Sequence, residues 1–139
     1  MVKSALLLDH RWCQRILCHN KTWELRSQNC KKRGRIGLAT TSKSNPRGVT
    51  ELLGEVTLVD VLVVGEMRHG LIAPPRQNPE NYMFLRANRE KHHVFNIKDF
   101  PTLKGYKKIF AWVMKDPILY DRPKALPVKR GCIAWVNVK

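Results

Sequence analysis

The amino-acid sequence predicts an α+β fold, a small mixed β-barrel of five or six strands with helices at its rim. Three observations lead to it. Five or six segments carry strand-like patterning and follow one another mostly as hairpins. One firm helix stands near the start, and no βαβ repetition follows it. The chain has 139 residues, which fits a single domain over positions 1–139, since most domains hold roughly 100 to 200 residues.

Taken in order, Ser4 to Leu8 is short and apolar and reads as a buried strand. Asp9 can cap the helix that follows, its carboxylate accepting from first-turn amides. That helix runs from about His10 to Cys18, with Trp12, Cys13, Ile16 and Leu17 on one face. His19 and Asn20 end it, because Asn tolerates the left-handed conformation at a helix terminus. In Lys21 to Arg26, apolar Trp23 and Leu25 alternate with polar Thr22, Glu24 and Arg26, the pattern of a half-buried strand with a polar second face.

A basic loop, Gln28 to Arg33, leads to a strand at Gly34 to Thr41 and a polar loop at Ser42 to Gly48. Leu53 to Val64 is the longest strand-like segment, rich in Val and Leu. Gly65 to Pro79 reads as loop, Tyr82 to Lys91 as helix, and Lys107 to Met114 as strand. Pro117, Pro123 and Pro127 then force an extended connection. Ile133 to Val138 is a closing strand.

Charge is the most unusual feature of the composition. Lys and Arg number 26 against 11 Asp and Glu, a formal net charge of +15. Such an excess repels itself unless a polyanion or salt screens it, and a phosphate backbone is the natural partner. The plainer alternative is a solubilising surface. A membrane surface fits less well, because no long amphipathic helix confines its basic residues to one face. No run approaches the ~18 apolar residues of a membrane span, and Ala5 to Leu8 is too short for a signal peptide. A cytoplasmic, reducing location is therefore expected, with Cys13, Cys18, Cys30 and Cys132 as thiols. Their spacing contains no paired C-x-x-C arrangement. No metal, no cofactor and no obligate protein partner are expected.

The segment His19-Asn20-Lys21-Thr22-Trp23-Glu24-Leu25-Arg26 resembles the signature of ASCH domains, G-x-K-x-x-E-x-R. Lys21, Glu24 and Arg26 fall on its charged positions, and His19 stands where the family has Gly. The turn into the strand must then be made differently, with Asn20 a candidate. Downstream, Arg33 to Leu38, Leu53 to Val56, Ala111 to Val113 and Gly131 to Val136 resemble the family's later strands, so the likeness spans nearly the whole chain. It implies a PUA-like β-barrel with a cleft beside the motif strand, and a link to RNA. Some members are similar to amidohydrolases that remove the acyl group from N4-acetylcytidine, and some cut RNA. In the deacetylating members a Lys at the position of Lys21 takes part in catalysis, alongside a Thr where this chain has Glu24. A carboxylate cannot replace a hydroxyl nucleophile without changing the mechanism. Those members also use a more distant acid, for which no segment here offers a match.

Lys21, Glu24 and Arg26 therefore admit two readings. As a site, Lys21 activates water or holds an oxyanion, Glu24 acts as base and then acid, and Thr22 and Arg26 assist. As a lattice, the three are an ion-pair array that fixes the strand. An exposed cleft lysine could be removed at a cost below about 1 kcal/mol. Trp23 reads as core, since it alternates with Leu25. Lys31, Lys32, Arg33 and Arg35 are candidates to track phosphates, as are Ser42 and Lys43, with solvated loop and turn chemistry the alternatives. His92-His93 lacks a third ligand in sequence and reads as a solvent-facing pair, or as one His packed in the core. The leading expectation is a metal-independent amidohydrolase on N4-acylated cytidine, or a related ribonuclease. The alternative is a non-catalytic RNA-binding module, so the expected partner is RNA or a modified nucleoside.

Overall fold

A computed structural model of the chain describes residues 2–66, 84–95, 108–127 and 134–138. The elements are β1 (Ser4–Leu8), α1 (His10–Cys18), β2 (Trp23–Arg26), β3 (Gly34–Thr40), β4 (Glu51–Glu66), α2 (Arg89–His92), β5 (Lys108–Ala125) and β6 (Trp135–Asn137). A helical turn at 84–87 precedes α2. The six strands form one mixed sheet in the order β2-β5-β4-β3-β1-β6. This sheet is not closed into the expected barrel. Its end strands, β2 and β6, are only four and three residues long. Closure needs end strands that pair with a fixed stagger, and alternation within a strand carries no information on that.

The early elements lie where the sequence places them. The Asp9 side chain accepts from the Arg11 amide at 2.9 Å, a cap of the kind that contributes about 1 kcal/mol. Asn20 takes a φ of 62° and makes the turn out of α1. The β4 strand extends beyond Leu53 and Val64 at both ends. The largest difference is β5, in which Pro117 and Pro123 lie inside an 18-residue strand rather than in a connection after it. A fixed φ near −65° suits extended backbone, and the missing N–H is tolerated at strand positions open to solvent. Residues 115–119 and 121–125 are all exposed. Asp116, just before Pro117, has a φ of 53° and marks an irregularity in the strand. Beyond Glu66, the loop expected to Pro79 lies outside the described residues, as do Gly131, Cys132 and Ile133.

The chain divides into two compact units, one of Met1–Asn20, Arg33–Leu58 and Met114–Lys139, the other of Lys21–Lys32 and Val59–Val113. In the first, β1 pairs in parallel with β3, placing Ala5 opposite Gly37 and Leu8 opposite Thr40. β6 pairs antiparallel on the other side of β1, and β4 pairs antiparallel with β3. Ala5, Leu7, Ala39, Leu52, Leu126 and Val136 form one core cluster, with Tyr120 and Val138 against it. Helix α1 buries Cys13, Ile16 and Leu17. The loop after β3 is closed by Asn45, whose amide donates to Thr40 Oγ1, the Val49 carbonyl and Glu51 Oε1 at 3.2, 2.8 and 2.8 Å. Those bonds satisfy buried polar groups that would otherwise destabilise the unit.

In the second unit β2 pairs antiparallel with the start of β5, Trp23 opposite Val113 and Arg26 opposite Phe110. Trp23, Leu25, Leu85, Val94, Ile109, Ala111 and Trp112 are buried. The Trp23 ring lies against Phe84 at 6.3 Å, so Trp23 is core as its alternation implies. Trp112 Nε1 donates to the Gln28 carbonyl at 2.9 Å.

Gly54 in β4 sits where β5 approaches most closely. A Cβ there would lie 2.3 Å from the Ile118 carbonyl oxygen and 2.8 Å from Leu17 Cδ2. Backbone cannot yield as a side chain does, so Gly54→Ala should destabilise by about 1–3 kcal/mol, the usual cost of overpacking. Urea denaturation should show a lower midpoint with an unchanged slope.

Candidate functional site

The motif strand places its charges in an unexpected environment. In β2 the residues Trp23, Glu24 and Leu25 are all buried, so the face carrying Glu24 is covered as well as the apolar one. Lys21, just before the strand, has a side chain with 0% exposure. It is not the exposed cleft charge that the sequence suggested. Its Nζ donates to the Trp23 carbonyl at 2.6 Å and to the His92 carbonyl. It also stands 3.4 Å from Glu24 Oε1, while Arg26 Nη1 lies 3.9 Å from Glu24 Oε2. Taking an ammonium and a carboxylate out of water costs several kcal/mol per ion. Charge-assisted bonds to carbonyls, together with the Lys21–Glu24 attraction, offset that cost.

The second anchor is His92, which is fully buried. Its Nδ1 accepts from the Val94 amide at 2.9 Å, which leaves Nε2 to donate to the Leu85 carbonyl at 2.5 Å. Of the two readings of His92-His93, the one with a core histidine holds for His92. Thr22 is half-buried, and its amide donates to the Lys91 carbonyl at 2.9 Å. Two main-chain contacts, from Thr22 and Lys21, thus fasten the start of β2 to α2. The sequence carried one signal for this, the His pair, but nothing that linked it to Lys21 across 71 positions.

Lys31, Lys32 and Arg33 are exposed in the loop before β3, and Ser42 and Lys43 are exposed in the loop after it. Arg35 is held by the first unit instead. Its Nε donates to Glu55 Oε2 and its Nη1 to Thr57 Oγ1, both at 3.0 Å, with the Asp116 carbonyl at 2.6 Å from Nη1. The bond from Arg35 holds the Glu55 carboxyl below its ordinary range against the opposing effect of burial. Burial and the neighbouring Glu55 charge push the Tyr120 phenol up, and its OH lies 3.2 Å from Glu55 Oε1. Among the described residues, no group of three or more His, Cys, Asp or Glu is placed to hold a metal ion. Among them, too, no helix is long and apolar enough to cross a membrane.

Solved structures share this arrangement of strands and helices. An ASCH protein from Zymomonas mobilis superposes with a TM-score of 0.57 and 21% identity, over 88% of this chain and 73% of the other. A serine-to-alanine mutant of the Zymomonas mobilis protein gives 0.60 and 16%, over 98% and 87%. A tyrosine-to-phenylalanine mutant gives 0.60 and 14%, over 100% and 91%. The chain has the ASCH fold. No protein-family model matches the sequence, and no curated protein matches it. At these identities the likeness lies in the fold. In this chain Lys21, Glu24 and Arg26 form one contiguous charged set, and Asn20, with its φ of 62°, makes the turn before it.

Burial lowers the pKa of His92 from its ordinary value, opposed by the bond to the Leu85 carbonyl and reinforced by the Lys21 and His93 charges. A histidine lowered on folding binds fewer protons folded than unfolded. Its contribution is complete above its unfolded pKa of about 6.5, and is lost as the pH falls through the folded value below that. Melting temperature should therefore drop on acidification below about pH 6.5. His92→Gln retains a donor for the Leu85 carbonyl and cannot titrate. It should be less stable at neutral pH and show a shallower fall between about pH 7 and 5.

Proposed function

We propose that the protein is a single ASCH domain over residues 1–139 that acts on RNA or an RNA-derived nucleoside, removing the N4-acyl group of a modified cytidine without a metal. Ribonuclease activity is the sibling reaction at the same residues. The observation that carries this reading is the buried ammonium–carboxylate pair, Lys21 and Glu24 at 3.4 Å, on the charged positions of the ASCH signature. Buried ionisable pairs cluster at functional sites, because burial and a charge partner tune their protonation.

In this reading Glu24 takes a proton from water as its oxygen attacks the acyl carbon. The C–N4 bond then breaks, and Glu24 returns the proton to the leaving amine. A carboxylic acid and cytidine result. Lys21 supplies positive charge where the oxyanion develops, in surroundings that screen it little. Its bonds to the Trp23 and His92 carbonyls hold Glu24 in position. Arg26, with a side chain 20% exposed, reaches outward from the pair. Thr22 assists, and the exposed Lys31, Lys32, Arg33, Ser42 and Lys43 attract the phosphates of a polymeric substrate, whereas Arg35 is committed to Glu55.

One observation favours a second reading, a non-catalytic RNA-binding module. The Lys21 ammonium has at least three acceptors, as many as its N–H donors, which suits a lattice. Assays on N4-acetylcytidine and on labelled RNA, each with and without EDTA, separate the two. Activity should survive chelation. Glu24→Gln keeps the shape, removes the base, and should lower turnover about a hundredfold or more while the protein stays folded. Full activity in a folded Glu24→Gln protein would remove Glu24 from the chemistry, and RNA binding with no turnover by the unsubstituted protein would establish the binding module.

Removing the other partner is a test of structure. Lys21→Met takes the nearer cation away from the buried Glu24 carboxylate and leaves Arg26 at 3.9 Å, which should cost about 3–5 kcal/mol. Chemical denaturation reads this directly, and a change below about 1 kcal/mol would mean that the pair is solvated in solution.

A further inference from the structure

Helix α1 has a second face that none of the preceding chemistry uses. Cys13, Ile16 and Leu17 pack inward. Arg11, Gln14, Arg15 and His19 line a groove of about 690 Å³ on the outer side. His10, Ser44 and Asp9 complete its described lining. The described lining thus carries two guanidinium groups and two imidazoles beside the Asp9 carboxylate, which caps the helix.

The groove is built rather than incidental. The His10 amide donates to Ser44 Oγ at 2.8 Å, and Ser44 Oγ lies 2.6 Å from Thr41 Oγ1. The loop after β3 is therefore pinned to the start of α1. Arg11 lies 4.1 Å above the Trp12 ring and Arg15 lies 6.0 Å from it, so one indole orders both cations. Such contacts reduce the ordering cost when an anion binds. His10 Nδ1 is buried and has no hydrogen-bond partner, a state that native proteins rarely leave uncompensated.

Arg11 and Arg15 are one turn apart, about 6 Å along the helix axis, a separation suited to successive phosphates of an extended strand. We infer that the α1 groove binds the phosphodiester backbone of single-stranded RNA, as a contact surface additional to the Lys21–Glu24 motif. The inference rests on the RNA reading above. The net charge of +15 favours a strand over a small anion, because long-range attraction and counterion release both grow with the number of phosphates.

Fluorescence anisotropy with a labelled single-stranded RNA oligonucleotide, repeated across salt concentrations, tests this on the full chain. The unsubstituted protein should bind, with log affinity falling by about 0.7 per decade of salt for each phosphate neutralised. The double variant Arg11→Gln/Arg15→Gln should bind about tenfold or more weakly, with a salt slope reduced by about one to two phosphates' worth. Melting temperature checks that it remains folded. Lys115→Gln/Arg122→Gln removes the same charge from exposed positions of β5, and should weaken binding far less. Equal loss in both double variants, or none in the first, would overturn the groove while leaving the RNA reading intact. Competition by inorganic phosphate at sub-millimolar concentration would overturn it in favour of a small-anion site. Absence of RNA binding by the unsubstituted protein would overturn both.

Discussion

Burial of the Lys21 ammonium ties together the described segments of the unit around β2. A desolvated ammonium needs acceptors on every side, and each acceptor fixes part of the backbone. The Trp23 carbonyl sets the curve of the chain as it enters β2. The His92 carbonyl comes from the end of α2, where carbonyls lack partners within the helix. Helix α2 stops there because His93 adopts a φ of 60°. The same residue that gives its carbonyl to Lys21 buries its ring between Leu85 and Val94. Lys21, Glu24 and His92 therefore act as one polar core.

The other unit meets the same requirement with neutral groups and small residues. Gly37 packs tightly against Leu52, Ala5 and Val2, and at Gly54 the Ile118 carbonyl leaves no room for a Cβ. Among the described residues its buried polar side chains are Thr40, Asn45, Thr50 and Glu51, and Asn45 bonds to both Thr40 and Glu51. Arg47, largely exposed, reaches Glu51 at 3.4 Å from outside. The unit thereby keeps an acid within its core with little buried positive charge. It holds the loop 41–50 in place, and with it the wall of the α1 groove.

Net charge and available charge are different quantities in this protein. Arg35 belongs to a basic run in sequence, yet its guanidinium is committed to Glu55, Thr57 and the Asp116 carbonyl. Lys21 is sealed from solvent. Arg26 lies 5.2 Å from the Trp112 ring and close to Glu24. Arg11 and Arg15, on a helix that sequence reading treats only as a packing element, line a groove instead.

Local physics made much of the molecule legible. Asp9 as cap, the apolar face of α1, the left-handed turn at Asn20 and the alternation of Trp23 with Leu25 each depend on interactions within a few residues. The charged motif was legible too, as a pattern of residue types. Its environment was not. Whether Lys21 faces water or two carbonyls depends on a segment 71 residues away, and alternation alone presented the Glu24 face as polar. The same holds for β5, where prolines 117 and 123 read as breakers because a sequence does not say which positions need an N–H for the ladder. Barrel closure, the sorting of Arg35 into an ion pair and the groove on α1 are equally long-range. The sequence by itself determined the elements and the charge they carry, because those follow from local sterics and composition. The tertiary structure decided which charges are buried and which face solvent, because desolvation depends on neighbours that only folding brings together.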